Sequence, residues 1–325
     1  MIRSLCGLLC VLAPLTVAAD EVRDTLAKAS RFLQEDMQTW RSERNCAACH
    51  HGPFALWTLS ELTRRQIAVE PGYVANLAEW IRTDDAAGLL PKPPAGDAKE
   101  NPSASAMSRA AYLAYGVNAL AERTSEVQAM RQRLVQFFRA AQSEDGSWVG
   151  PLGRPPVLNP TIEFTLLVAV AWLPHRDEFP ELPAMLDQAA AWIDAQPVGA
   201  SHQELALRLM WAAGRKEAAA TESLTKRLFS LQQPDGGWRQ AADMASDAFA
   251  TGQSLVALRK AGVPANDPAI QRGVQFLRTT QAENGSWPMA SRPHPENRRT
   301  ADDLTPITYA GTAWGVLGVV AATAR

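Results

Sequence analysis

Apolar residues recur at helical spacing along much of the chain, and the segments that carry this spacing share a common ending. Two such stripes are formed by Leu224, Leu228 and Leu231, and by Ile270, Val274 and Leu277. Each stripe is followed by a glutamine, an acidic residue or asparagine, a glycine and a tryptophan. The segments are FFRAAQSEDGSW, LFSLQQPDGGW and FLRTTQAENGSW, which end at Trp148, Trp238 and Trp287. Because Asp-Gly and Asn-Gly stop a helix through a turn with positive φ, the pattern predicts an amphipathic helix and then a tight turn.

A second kind of segment, apolar on nearly all sides, follows each turn. Examples are TIEFTLLVAVAWL, DAFATGQSLVAL and ITYAGTAWGVLGVV. A helix that is apolar all round is buried, so these segments predict an inner layer and the striped helices an outer one. The outer helices are predicted near 22–40, 73–83, 125–142, 181–195, 217–232 and 267–281. The inner helices are predicted near 53–66, 107–122, 160–173, 201–214, 246–261 and 307–323.

The spacing of the tryptophans indicates a repeat. Trp148, Trp238 and Trp287 are 90 and 49 residues apart, so a degenerate unit of about 45 residues is expected between the first two. Residues 188–197, QAAAWIDAQP, supply its helix and glutamine without the Gly-Trp ending. The uncharged segment 304–323 matches the inner helices of this repeat, which favours a buried core helix over a membrane span.

These turns resemble the QW repeats of squalene–hopene cyclases and related prenyltransferase-type proteins. The resemblance covers nearly all of the chain after its first residues. It implies an all-α fold, an α6/α6 toroid of six helical hairpins. In that fold the glutamines Gln142, Gln233 and Gln281, with the three tryptophans, would tie neighbouring hairpins together. Such repeats specify the fold and leave the chemistry open.

The residues that a hopene-type cyclase needs are missing from this pattern. Those enzymes protonate an alkene with an Asp-x-Asp-Asp motif, whose acid must stay neutral in a dry cavity. Alignment on the helix LVAL puts Asp247 at the first motif position and Phe249 at the proton donor's position. The zinc-dependent prenyltransferases of the same fold need an Asp, a Cys and a His as ligands. We therefore expect neither activity.

Four carboxylates remain as catalytic candidates on sequence grounds: Asp247, Glu163, Asp302 and Asp303. Asp247 and Glu163 stand at the start of inner helices, where the positive end of the helix dipole favours a carboxylate. Their other interpretation is therefore helix capping or dipole pairing. Asp302 and Asp303 precede the last inner helix by a turn.

The first nineteen residues, MIRSLCGLLCVLAPLTVAA, have the composition of a removable export signal. We therefore predict a signal peptide at 1–19, a single domain at 20–325, and a periplasmic or secreted protein. Of four cysteines, only Cys46 and Cys49 remain after removal of this segment, which excludes a disulfide framework. A net charge of −2 gives no electrostatic case for a nucleic-acid partner.

Both remaining thiols belong to the stretch NCAACHHG, residues 45–52. Cys-x-x-Cys-His is the signature of covalent c-type haem attachment, in which the adjacent imidazole binds iron. The sequence thus predicts one haem c held by Cys46 and Cys49, with His50 as the proximal ligand. A zinc site would need four ligands from six consecutive residues, and a Cys-x-x-Cys redox pair would need a βαβ context. Both alternatives are weaker.

The motif falls between the first outer and first inner helix, on the rim of the toroid where the inner helices begin. The haem is therefore expected over or beside the mouth of the central cavity. Candidates on this rim for the sixth iron ligand are His294, Met107, Met289 and His202, while His175 belongs to the opposite rim.

Two further residues near the predicted haem have open roles. His51 either supports the haem site or faces solvent, and Arg292 is available to haem propionates.

Together these features predict a redox role, either electron transfer or oxidation of an apolar molecule, for example an isoprenoid-like one, held in the toroid. The expected partner is that small molecule or a redox protein. A non-catalytic toroid that binds a lipid or a protein is the main alternative. A divergent cyclase that uses Asp247 or Asp302 is the third.

Overall fold

The computed structural model describes residues 19–44, 51–83, 102–150, 156–157, 159–293 and 303–323. Twelve α-helices occupy these ranges, with one 3-10 turn at Leu173–His175. The outer helices are α1 (Ala19–Arg44), α3 (Tyr73–Thr83), α5 (Ser125–Ala141), α7 (Leu182–Ala195), α9 (Ala218–Ser230) and α11 (Pro268–Thr280). The inner helices are α2 (His51–Arg64), α4 (Ala104–Ala119), α6 (Thr161–Trp172), α8 (His202–Gly214), α10 (Ala248–Lys260) and α12 (Thr305–Thr323).

The inner helices form a closed ring in chain order. Each one packs on the next, and α12 packs on both α10 and α2. Outer helices cover the gaps, and α1 contacts α2, α11 and α12. This arrangement confirms the predicted all-α toroid of six hairpins. The amphipathic helices thus form the outer layer and the fully apolar helices the inner layer, as their burial requires.

Helix α12 shows why the uncharged C-terminal segment belongs to the core. Its residues from Tyr309 to Val320 are all buried between neighbouring inner helices. Within the described ranges, no helix combines the length and apolar content needed to cross a membrane. The expectation of a buried core helix at 304–323 is confirmed.

The QW turns fasten each hairpin to the next outer helix. Gln142 Nε2 donates to the carbonyl of Gly146 within its own turn and to that of Met185 on α7, both at 2.9 Å. Trp148 Nε1 donates back to Phe138 (2.8 Å), and its backbone N–H donates to the hydroxyl of Thr165 on α6 (3.0 Å). One turn therefore joins two outer helices and one inner helix.

The third turn closes the ring. Gln281 Nε2 donates to the carbonyl of Thr25 on α1 at 2.9 Å, which bonds the last hairpin to the first helix. In the second turn, Gln232 makes the equivalent bond to Ala269 at 2.8 Å. Gln233 instead donates to Leu231 in its own turn, so the sequence assignment of Gln233 was wrong by one residue. The tying role predicted for Gln142 and Gln281 is confirmed.

The degenerate repeat uses a different fastening. Gln196 donates only to Trp192, four residues earlier on the same chain segment. Buried Arg208 on α8 bonds the carbonyls of Ile193, Gln196 and Pro197 instead, and pairs with Glu204 at 2.7 Å. This guanidinium therefore holds α8 to the end of α7 within one hairpin, while Arg227 of α9 donates to the carbonyl of Gly199 in the turn at 3.1 Å.

Candidate functional site

The predicted haem residues Cys46, Cys49 and His50 lie outside the described residues, as do His294 and Asp302. The ends that flank the motif are well defined. Helix α1 ends at Arg44, and α2 begins at His51, so the motif joins them on the rim where inner helices begin. Arg44 stacks on Trp40, with the guanidinium carbon 4.9 Å from the ring centroid.

His51 is completely buried at this rim. Its ring stacks between Trp40 and Tyr309, with both centroid distances at 4.1 Å, and its Nε2 lies 2.9 Å from Asp36 Oδ2. Burial lowers the pKa of His51, although the carboxylate of Asp36 opposes the shift. The solvent-facing alternative for His51 is therefore wrong. The stacking and the contact with Asp36 instead hold His51 in place, directly after His50.

The sixth-ligand candidates fall into two groups. Met107 on α4 and Met289, which packs against Gly311 of α12, are both buried and belong to the two neighbours of α2 in the ring. His202 starts α8, on the opposite side of the ring from α2. Its Nε2 lies 2.8 Å from Ser254 Oγ, and burial, assisted by the Arg292 charge, lowers its pKa to about 3. The ligand assignment itself stays a prediction.

Asp247 caps α10, as the capping alternative proposed. Its Oδ1 accepts the backbone N–H of Ala250 (2.9 Å), and its Oδ2 accepts a hydrogen bond from Gln240 (2.9 Å). Burial raises the pKa of Asp247 to about 6, against those hydrogen bonds. Phe249, at the position of the cyclase proton donor, is buried with its ring 6.1 Å from that of Trp314.

Asp303 is an exposed residue at the start of α12. Its Oδ1 accepts the backbone N–H of Thr305 at 3.0 Å, which is a capping contact. In the described part of the chain, no three His, Cys, Asp or Glu side chains come together as a metal-binding group.

A buried ion pair crosses the ring at the rim where inner helices begin. Arg292, in the segment before α12, donates to Glu163 Oε2 on α6 (2.6 Å) and to Gln203 Oε1 on α8 (2.7 Å). All three residues are at most 5% exposed. Glu163 thus balances a guanidinium rather than a helix dipole alone, and Arg292 is already engaged by protein groups. The sequence does not reveal this pair, because its partners are 129 residues apart.

The central cavity opens on the other rim, where inner helices end. It has a volume of about 250 Å³ and is lined by residues from all six inner helices. Trp57, Tyr115 and Trp314 form an aromatic wall, in which Trp57 stacks on Tyr115 (4.4 Å) and meets Trp314 edge-on (5.0 Å). Arg292 spans the ring on the side where the inner helices begin, so this cavity, as formed by the described residues, opens on the rim opposite the one expected for its mouth. His175 lies at the cavity's rim, as expected.

Comparisons with known proteins locate the resemblance in the second half of the chain. Residues 207–325 match the family model "Squalene-hopene cyclase C-terminal domain". The chain is 26% identical to a cycloartenol synthase from Dictyostelium discoideum over 159 residues, 48% of this chain and 16% of that protein. It is 26% identical to a mouse lanosterol synthase over 143 residues, 44% of this chain and 14% of that protein. The matched segments therefore span under one fifth of these relatives' lengths.

Solved structures share the fold at low sequence identity. A type II terpene cyclase from Scytonema superposes with a TM-score of 0.54 at 15% identity, covering 93% of this chain and 98% of that one. A glycosyl hydrolase of family 88 from Bacteroides vulgatus superposes with a TM-score of 0.64 at 10% identity, covering 94% and 99%. Proteins that act on terpenes and on sugars thus share this toroid. The matches support a likeness to the cyclase superfamily and leave the activity of this chain open.

Proposed function

We propose that this protein is an exported c-type haem protein on a terpene-cyclase-like toroid, and that it exchanges electrons with a small apolar molecule or a redox partner. The observation that supports this most is the combination of Cys-x-x-Cys-His with firmly held flanks. His51, next to the proposed ligand His50, is buried, stacked on both faces and bonded to Asp36. A rigid support of this kind is what a covalent cofactor site requires.

The donor set suits haem c. Two thiols and one imidazole occur in the order of the attachment signature. Cys46 and Cys49 would form the thioethers, and His50 would bind the iron, while Met107 lies on α4 and Met289 packs against α12, the two neighbours of α2. When bound, the haem would supply an iron that gains and loses single electrons.

Electron transfer is favoured over direct oxidation at the iron, because protein groups lie between the start of α2, which directly follows the motif, and the cavity. The Arg292–Glu163 pair crosses the ring on the motif's side, and the cavity opens on the other side. Helix α2 joins the two regions, with His51 at the rim and Trp57 in the cavity wall. Six residues of helix correspond to about 9 Å at 1.5 Å per residue, so the separation is short.

Intact mass and absorption spectra test the haem assignment. The full chain, exported by a bacterial host that matures c-type cytochromes, should carry the mass of one covalent haem and give a reduced haemochrome spectrum. Cys46→Ser/Cys49→Ser protein should be colourless. A wild-type mass equal to that of the polypeptide alone would refute the proposal.

The sixth ligand is tested in the same material. Met107→Leu and Met289→Leu should be compared with Met185→Leu, a buried methionine of α7 far from the motif, as the matched control. A methionine ligand predicts that one of the first two variants changes the reduced spectrum while Met185→Leu does not. Unchanged spectra in all three would exclude both methionines.

The second candidate function is a non-catalytic binding toroid, and the aromatic cavity favours it independently of any haem. Concave, mostly apolar pockets with a few polar groups are the usual sites for small ligands. A divergent cyclase gains no such support, since Asp247 caps a helix and Phe249 occupies the donor position.

A further inference from the structure

The mouth of the cavity combines an apolar wall with unbalanced positive charge. Trp57 and Tyr115 are only partly buried, so their rings present apolar surface to the cavity. At the mouth stand three basic side chains, Arg64, Arg65 and Lys260, with Glu61 as the acidic residue that lines the cavity beside them.

Basic residues near helix ends often serve only to complement the helix dipole, and two of those at this rim do so. Arg64 pairs with Glu61 at 2.6 Å and donates to the carbonyl of Ala119, the last residue of α4. Arg259, which does not line the cavity, donates to the carbonyls of Ala321 and Val263. These guanidinium groups have structural partners.

Arg65 and Lys260 differ from them. Within the described parts of the chain, neither side chain makes a hydrogen bond or an ion pair, and both line the cavity mouth. Lys260 retains exposed surface, yet the surrounding protein lowers the pKa of its ammonium group, and Glu61 opposes that shift. An anion placed beside Lys260 would offset the cost of this desolvation, because an opposite charge favours the ammonium form.

The size of the cavity limits the apolar part of a ligand. A volume of about 250 Å³ lies below the roughly 300–1,000 Å³ of drug-sized pockets. The cavity itself therefore suits a single short apolar chain.

We propose that the axial cavity binds a small amphipathic anion, with its apolar chain against Trp57 and Tyr115 and its carboxylate or phosphate held by Arg65 and Lys260. This proposal rests on the second candidate function, a toroid that binds a small ligand in its cavity, and it is independent of the haem. The ligand enters from the rim opposite the Cys-x-x-Cys-His segment.

Binding of matched eight-carbon probes to the full-length protein tests the charge of the head group. Octanoate, octyl phosphate, octanol and octyltrimethylammonium are titrated below their micelle concentrations, by calorimetry and by tryptophan fluorescence. We expect an anionic probe to bind more tightly than octanol, and the cation to bind least. The two anions distinguish a carboxylate head from a phosphate head.

Charge variants identify the residues. Lys260→Met and Arg65→Gln should each weaken binding of the anionic probe by about tenfold, because each removes one charge-assisted contact. Binding of octanol should stay unchanged. Arg215→Gln is the control, since Arg215 lies on the same rim, outside the cavity lining, and pairs with Glu217. Trp57→Ala should weaken binding of the anionic probe and of octanol to the same extent.

The outcomes separate this inference from the proposed function. Equal binding of octanol and octanoate, unaffected by Lys260→Met, would overturn the anion assignment and leave an apolar ligand in place. Tighter binding of the cation would also overturn it, in favour of Glu61 and the helix ends. If no probe binds, both ligand assignments fail, while the haem mass and spectra still test the redox assignment.

Discussion

Asp247 serves as a helix cap at the edge of the apolar interior. Its hydrogen bonds to Ala250 and Gln240 satisfy the carboxylate, yet burial raises its pKa to about 6 from the usual 3.8. The folded protein therefore holds this proton more tightly than the unfolded chain does. Stability from the group is present below pH 3.8 and is lost as the pH rises through about 6.

We predict that Asp247→Asn removes this pH dependence. Asparagine caps a helix as well as aspartate does and carries no charge. Between pH 4 and pH 8, the free energy of unfolding of the variant should gain up to about 3 kcal/mol relative to wild type, at 1.36 kcal/mol per pKa unit. Urea unfolding at both pH values measures this.

Asp267→Asn, at the N-cap of outer helix α11, is the control for the loss of a capping carboxylate. If the stabilities of wild type and Asp247→Asn change in parallel with pH, burial does not raise the pKa of Asp247.

Some roles of single residues could be predicted from the local sequence and others could not. The capping role of Asp247 was predictable, because Asp before an apolar helix is a recognisable cap signal. The complete burial of His51 was not. Its partners Asp36, Trp40 and Tyr309 come from α1 and α12, and nothing in the local sequence NCAACHHG indicates that they meet.

At the scale of the elements, the connections between helices depend on glycine for two reasons. Gly285 has a φ of +88°, and a Cβ there would overlap the backbone carbonyl of Lys28 on α1. Gly262 has a similar φ of +86°, but no heavy atom lies within 4 Å of the position that a Cβ would take there. At Gly262 a side chain would meet only the strain of a positive φ, whereas at Gly285 it would meet that strain and the close approach of α1.

We predict that Gly262→Ala lowers the free energy of unfolding by about 1 kcal/mol, the cost of a left-handed residue. Gly285→Ala should lower it by about 2–4 kcal/mol, because the overlap with α1 adds an overpacking cost of about 1–3 kcal/mol. Chemical denaturation of both variants checks the difference. Equal losses would mean that α1 moves away at little cost, so that ring closure does not depend on this approach.

Most of the element scale was predictable from the chain alone. The twelve helices follow from two periodic patterns and from repeated Gln, Gly and Trp signals. The exception is the fourth hairpin, where Gln196 donates within its own hairpin and Arg208 bonds three carbonyls at the end of α7 and in the following turn. An arginine in an apolar helix carries no signal of the carbonyls that it will bond, so this arrangement was not predictable from the sequence.

For the whole molecule, the Arg292–Glu163 pair is a contact across the ring rather than along it. Arg292 belongs to the segment between the last two helices, while Glu163 and Gln203 belong to the third and fourth inner helices. Neighbouring hairpins are joined by the QW turns, whereas this pair joins the sixth hairpin to the third, which is not its neighbour in the ring. It closes one end of the central channel.

We predict that Arg292→Met lowers the free energy of unfolding by about 3–5 kcal/mol, because it leaves the carboxylate of Glu163 buried without its partner. Glu163→Leu/Arg292→Met should recover most of that loss, since no charge then stays buried. Thermal and urea unfolding of the single and double variants provide the comparison. Additive losses would show that the two side chains are not coupled.

The amino-acid chain was enough to predict the class of fold, the order and layers of the twelve helices, and the Cys-x-x-Cys-His segment between the first two. These features are local, since periodicity, capping and turn signals act within a few residues. The folded ring was needed to show which rim the cavity opens on, which side chain spans the other rim, and which cations line the mouth. Each of these depends on contacts between residues far apart in the chain, whose partners are set by how the ring closes.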